Sequence, residues 1–256
     1  MAALTIDDVI AALTAIIDDC RARGSRLGYF PALYRRVTQA VKDGAAAGQF
    51  QNGPLLEKLD IAFANRYLDA YNTYQAGGQP TRSWAVAFAA ARHQLPLIVQ
   101  QLLVGISAHI NLDLGIATAA IAPGDQLPGI RTDFDQINGV LASLVGVVER
   151  EMAEVSPGIG RLEALGLRTE TRIINFDLDI ARQLAWTRAG QLAATPAAEL
   201  DGAIDRLDLE VAAFNELVAH PGLAIEAALA PIRIEESNDV RRVIDVLAAP
   251  PLAVGA

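Results

Sequence analysis

Cysteine is nearly absent from the 256 residues. Cys20 stands alone, so no internal disulfide can form, and no CxxC pair or Cys/His cluster offers a structural zinc site. Three histidines without an HExxH pattern exclude a zinc-protease centre. Aromatic residues reach only 5%, and β-branched runs bounded by turn residues are scarce, which argues against a sheet core. Basic side chains are outnumbered, 21 to 30, giving a net charge of −9 and a pI near 4.8. A surface of that sign repels phosphate backbones and anionic lipid, so no nucleic-acid partner is expected. Asp7 and Asp8 stand where a signal peptide needs Lys or Arg, which makes the expected location cytoplasmic. No nucleophile elbow, P-loop or dinucleotide fingerprint occurs; serine acyl transfer, nucleotide hydrolysis and Rossmann redox chemistry are disfavoured.

What is present is apolar: 52% of the chain is hydrophobic, mostly alanine and leucine. Both are strong helix formers, and alanine faces let helices approach closely. The expected fold is all-α, a single-domain bundle of about eight main helices around a buried central one. Caps and breakers set the expected segments. Thr5 opens a first helix over 6–23, closed by Gly24. A second begins near Pro31 and decays into Gly44–Gly48. Asn52-Gly53-Pro54 starts a third that reaches Gln75. A fourth covers 83–94, and Pro96 separates it from a fifth over about 97–122. The next two are expected from 132 or 133 to 154 and from 169 or 170 to 194. Thr195-Pro196 opens one ending before His220-Pro221, and short helices over 223–230 and 237–247 follow. Residues 1–248 form one domain in this reading, and 249–256 an Ala/Pro tail that frays.

The fifth helix is long enough for a bilayer, and no Lys or Arg falls between Arg92 and Arg131. Its Gln100, Gln101, His109, Asn111 and Asp113 make insertion expensive, so the expectation is a core helix and no membrane span. Polar groups inside such a helix need a cause, because burying one unpaired costs a few kcal/mol. His109 and Asp113 lie one turn apart on one face, and Gly105, a turn earlier, is expected to leave open space beside the imidazole. Asn111 points the other way, in line with Gln100, Ser107 and Thr118. On the seventh helix, Asn175, Asp179, Arg182 and Trp186 share a narrow arc. On the third, Arg66 sits within the stripe Leu59, Phe63, Tyr67, Ala70 and Tyr74, with Asp113 or Asp179 as its expected partner.

Each feature has a plainer reading. His109–Asp113 could be a core pair, Arg182–Asp179 a surface i,i+3 pair, Arg66 a snorkelling cation, and Asn111 a helix-to-helix hydrogen bond. Trp186 could be core and His220 a helix-end residue. The functional reading gains from coincidence, since several helices each direct an acid, base or cation inward.

The run Gly105-Ile106-Ser107-Ala108-His109-Ile110-Asn111-Leu112-Asp113-Leu114 resembles the signature of a mostly bacterial family, domain of unknown function 5995. Tyr34-Arg35-x-Val-Thr, Phe63-Ala64-Asn65-Arg66-Tyr67, Trp84, Asp133 with Asn138, and Ala181-Arg182-x-x-Ala185-Trp186 match it as well, from the second helix to the seventh. Ser107 stands where the family pattern has an amide. The resemblance implies a site without implying a reaction.

Three functional expectations follow. The first is an enzyme acting on a small, largely apolar molecule by isomerase, cyclase, lyase or hydrolase chemistry. His109 would be general acid/base and Asp113 its orienting acid; Tyr34, Arg66, Tyr67, Asn111, Arg182 and Trp186 would bind substrate. The second is a non-catalytic ligand carrier or interaction scaffold, with the His/Asp/Arg set as a structural network. The third is a mononuclear metal enzyme in which Asp133, Asp135 or His93 completes a shell begun by His109 and Asp113. No cofactor is expected beyond that single divalent metal, and the expected partner is a small-molecule ligand.

Overall fold

The computed structural model describes residues 2–161 and 177–249. Within them the chain forms ten helices and no strand, an all-α bundle. They are α1 (Ile6–Arg23), α2 (Tyr29–Ala46), α3 (Gly53–Gln75), α4 (Arg82–Arg92), α5 (Ile98–Ile121), α6 (Arg131–Val155), α7 (Leu178–Ala194), α8 (Ala197–Ala219), α9 (Leu223–Glu235) and α10 (Val240–Ala248).

Local chemistry explains most boundaries. Thr5 Oγ1 accepts from Asp8 N at 3.1 Å while Asp8 returns a bond to Thr5 N at 3.0 Å, a reciprocal cap that starts α1. Gly24 ends it at φ 63°, a left-handed conformation that costs glycine little. Asn52, Asp177 and Asp239 start α3, α7 and α10, each with a side-chain oxygen that accepts from backbone amides of the first turn.

Three boundaries depart from the sequence expectation. The fourth helix stops at Arg92 rather than 94. The final helix begins at Val240, where Asp239 caps it, rather than at 237. Helix α9 runs through Pro231 to Glu235 instead of ending at 230, because fully buried Leu229 and Ile232 on either side hold the turn in place. The expected start of the seventh helix at 169 or 170, Asn175 on its face, and most of the tail lie outside the described residues.

Helix α5 is the axis of the bundle, with α2, α3, α4, α7 and α8 against it. By length and hydropathy it could cross a bilayer, yet 78% of its most apolar window is buried inside the protein. Two apolar clusters meet along it. One gathers Leu13, Tyr29, Tyr67, Trp84 and Val104; the other gathers Leu59, Phe63, Ile110, Leu114 and Phe134. Buried polar groups fix the helices around it. Gln100 Nε2 donates to the Val218 carbonyl at 2.7 Å, and Asn215 Nδ2 reaches the Ser83 and Val104 carbonyls.

Candidate functional site

The middle of α5, Ala108–Leu114, is wound as a π-helix between α-helical Ile98–Ser107 and Gly115–Ile121. Its i→i+5 bonds close a turn one residue wider than an α turn, a rare geometry that concentrates at functional sites. His109 lies in this turn, 3% exposed. Its imidazole stacks on Phe63 at 3.5 Å between centroids and 10° between planes, with Tyr34 edge-on at 4.4 Å and Phe30 at 5.5 Å. Neither ring nitrogen has a hydrogen-bond partner among the described residues. Burial holds the imidazole below its ordinary pKa, opposed by the nearby Asp113 carboxylate. The open space expected beside the ring is filled. A Cβ on Gly105 would meet Phe30 Cδ2 at 2.8 Å, so glycine there admits the phenyl ring rather than leaving a gap.

Asp113 is equally buried, and both its oxygens are engaged. Oδ1 accepts from Arg66 Nε at 2.6 Å and Oδ2 from Trp84 Nε1 at 2.8 Å. His109 Nδ1 is 3.6 Å from Oδ2, close enough for attraction but too far for a hydrogen bond. Of the two acids expected to face Arg66, Asp113 is the partner. Asp179 is exposed in the first turn of α7, where its amide donates to Asp177.

A cavity of about 340 Å³ opens between α2, α3, α5 and α6, reaching the start of α7. Leucine, isoleucine and valine form most of its wall. Among the described residues, the polar or ionisable lining groups are Tyr34, Asp60, His109, Glu149 and Arg182. Among the residues singled out in the sequence, the cavity therefore collects Tyr34, His109 and Arg182. Asp113, Arg66, Tyr67, Asn111 and Trp186 stand outside its lining.

Tyr67 is fully buried in the aromatic core. Asn111 bonds to Ser107 Oγ at 3.1 Å on its own helix, not across to another, since the two are i,i+4 neighbours on one helix face. Trp186 lies on Phe134 at 5.0 Å and under the Arg131 guanidinium at 4.8 Å. Asp133 does not join His109 and Asp113. Its carboxylate accepts the Gln51 and Asn52 amides, both at 2.7 Å, fastening α6 to the loop before α3. Asp135 pairs with Arg131, and His93 is exposed at the end of α4. The described residues hold no cluster of three His, Cys, Asp or Glu suited to a metal.

Asp60 is the residue the sequence reading missed. It lines the cavity, and its Oδ2 is buried with no hydrogen-bond partner. Burial, with Glu57 adding repulsion, raises its carboxyl to about 7. The residue as a whole is half-buried by surface area. A signal was available: Leu56, Asp60, Phe63 and Tyr67 recur at the spacing of one buried helix face. Tyr34 Oη, also in the lining, is buried and unpartnered, and burial together with the Asp60 charge lifts its phenol well above the ordinary value.

The profile of a family of unknown function, DUF5995, matches residues 6–221. The chain belongs to this family. The match takes in every helix that lines the cavity, so the site of this DUF5995 protein lies wholly within the shared region. No curated protein and no solved structure matches the chain. The chemistry of the site therefore has to be argued from its own side chains.

Proposed function

We propose that this DUF5995 protein is an enzyme that takes a small, largely apolar molecule into the cavity and moves a proton on it, with His109 as general base and acid. One observation carries the reading. An imidazole without a hydrogen-bond partner forms part of the wall of an otherwise aliphatic cavity of ligand size. Leaving such a group unsatisfied costs about 1–3 kcal/mol, which folding alone gives no reason to bear. Burial keeps the ring neutral near pH 7, the form that can accept a proton. Asp113, fixed by Arg66 and Trp84, lies on the Nδ1 side and would stabilise the imidazolium once formed. Asp60, titrating near neutrality, supplies a second proton-exchanging group in the cavity lining. Isomerisation, cyclisation, elimination and hydrolysis all use such a pair.

A carrier is the second reading, favoured by the stacking of His109 on Phe63, which buries both ring nitrogens. One experiment separates the two. Apolar compounds that co-purify with the protein are extracted, identified by mass spectrometry and returned to wild type and His109→Gln in D2O. The expected result is binding by both, with conversion or deuterium incorporation only in wild type. Binding by both without any change in the compound would replace the enzyme with the carrier.

A further inference from the structure

Among the described residues of the aliphatic cavity wall, one is a cation. Arg182, in the second turn of α7, keeps only 2% of its surface. Its Nε donates to Asn138 Oδ1, its Nη2 donates to the Phe134 carbonyl, and its guanidinium carbon sits 4.4 Å above the Phe134 ring. Nη1 makes no hydrogen bond among the described residues, and none of their carboxylates lies within ion-pairing distance of the group. Asp135 is paired with Arg131, and Asp179 is exposed. Burial lowers the guanidinium to about 10, so it stays charged at neutral pH. A buried ion without a counter-ion costs several kcal/mol, and neutral acceptors offset only part of that.

We propose that the counter-ion comes with the ligand. The cavity takes an elongated apolar monocarboxylic acid whose carboxylate bonds to Arg182 Nη1, while its hydrocarbon body lies along α5 and α6 past His109. This rests on the reading that the cavity is the ligand site. The lining fits the shape. Val99 to Leu114 on α5 and Ile137 to Met152 on α6 each run about 22 Å at helical rise, with Arg182 and Leu178 towards the Leu114 and Ile137 end. A volume of about 340 Å³ holds on the order of a dozen non-hydrogen atoms, at roughly 30 Å³ each.

The lining also fits the charge. Besides Arg182, the ionisable groups among the described lining residues are Asp60, Glu149, Tyr34 and His109, so none of these compensates a second negative charge. That argues for one carboxylate and against a diphosphate or other polyanion. A carboxylate also suits the one terminal nitrogen left free, since charge-assisted N–H···O bonds of this kind are about twice as strong as neutral ones.

The test is competition by decanoate, methyl decanoate and decyl phosphate against a solvatochromic dye bound to the full chain at pH 7.5. Three proteins are compared: wild type, Arg182→Gln and Asn138→Asp. The last keeps the arginine and its shape while giving it an internal carboxylate, so it serves even if Arg182→Gln fails to fold. Wild type is expected to prefer decanoate over its methyl ester by about tenfold or more, the worth of one charge-assisted bond. Asn138→Asp, and Arg182→Gln where folded, are expected to abolish that preference with ester binding unchanged. Equal binding of acid and ester by wild type overturns the carboxylate proposal but leaves the cavity as a ligand site. So does a preference that survives Asn138→Asp, or tighter binding of decyl phosphate than decanoate. Failure of all three to displace the dye overturns the proposal and removes the binding site on which the proposed function depends.

Discussion

At the scale of single residues, the decisive arrangement is the division of labour around Asp113. Both oxygens are held by Arg66 and Trp84, while the imidazole one turn earlier is left without a hydrogen bond. The first contact stabilises the fold and the second leaves His109 for other work. Removing Arg66 leaves a carboxylate that is 1% exposed with only an indole donor, and breaking a buried pair in that way costs on the order of 3 kcal/mol. For a chain of this size the loss corresponds to roughly 6–12 °C in Tm. Arg66→Met is therefore expected to melt lower by about that amount in thermal denaturation followed by circular dichroism. Adding Asp113→Asn should recover most of the loss, because the amide no longer needs a counter-charge. A Tm unchanged in Arg66→Met would show that the pair carries no weight. The residues around this pair were partly legible. The spacing of His109 and Asp113 and the inward Arg66 can be read from helical geometry, because both depend on one helix at a time. Asp60 could have been read in the same way as an inward acid, but its lack of a partner and the engaged carboxylate of Asp133 could not, since each depends on what the neighbouring elements present.

At the scale of elements, helix ends were legible where a cap states them in sequence: Thr5 with Asp8, Gly24, and Asn52 before Pro54. Thr195, expected to cap α8, instead closes α7, its hydroxyl donating to the Gln191 carbonyl, and Pro196 stands at the α8 N-cap without a side-chain bond. The π turn in α5 carries no such mark. Nothing in Ala108–Leu114 breaks an α-helix, and the wider winding is held by what surrounds it: Arg66, Trp84 and the aromatic rings about His109. Two glycines show how differently helices meet. At Gly105 an added methyl would lie 2.8 Å from Phe30 Cδ2 and 3.2 Å from Phe30 Cβ, near the root of a side chain with nowhere to go. At Gly190 on α7 the nearest atom is Leu127 Cδ2, at an ordinary 3.7 Å. Alanine gains about 0.5–1 kcal/mol over glycine inside a helix, whereas overpacking costs about 1–3 kcal/mol. Gly190→Ala is therefore expected to raise the Tm by about 1–4 °C, and Gly105→Ala to lower it despite the same intrinsic gain. Displacing Phe30 should also reshape the cavity wall, so Gly105→Ala is expected to weaken dye binding while Gly190→Ala leaves it unchanged. If both variants shift stability in the same direction, the close approach of Phe30 to α5 is not a constraint.

At the scale of the whole molecule, the polar members of the cavity, His109, Tyr34 and Arg182, were legible in the sequence, but its aliphatic extent was not, because the leucines and valines that line it follow the same period as those that fill a solid core. What betrays it is the pH behaviour that its ionisable lining imposes, together with one buried strut elsewhere. Glu236 accepts Ser156 Oγ at 2.9 Å and the Ile98 amide at 3.1 Å, tying the α9–α10 connection to the start of α5 and the end of α6. Burial raises it to about 7 against those bonds. A carboxyl whose folded pKa lies above its unfolded value binds its proton more tightly in the native state. Its stabilisation is complete below about pH 4 and is lost as pH rises through about 7, and Asp60 and Glu236 share that window. His109 acts in the opposite sense: its folded pKa is depressed, so its effect on stability worsens as pH falls below about 6.5. Two acids against one imidazole give wild type a higher Tm at pH 5.5 than at pH 8. The charge-neutral double variant Asp60→Asn/Glu236→Gln removes both acids and leaves the imidazole, so its Tm is expected to rise from pH 5.5 to pH 8, reversing the slope. Melting curves at matched ionic strength across that range test the reversal. A double variant that keeps the wild-type slope would mean that neither carboxyl is held protonated by its surroundings, and Asp60 would then lose its standing as a proton-exchanging group of the cavity.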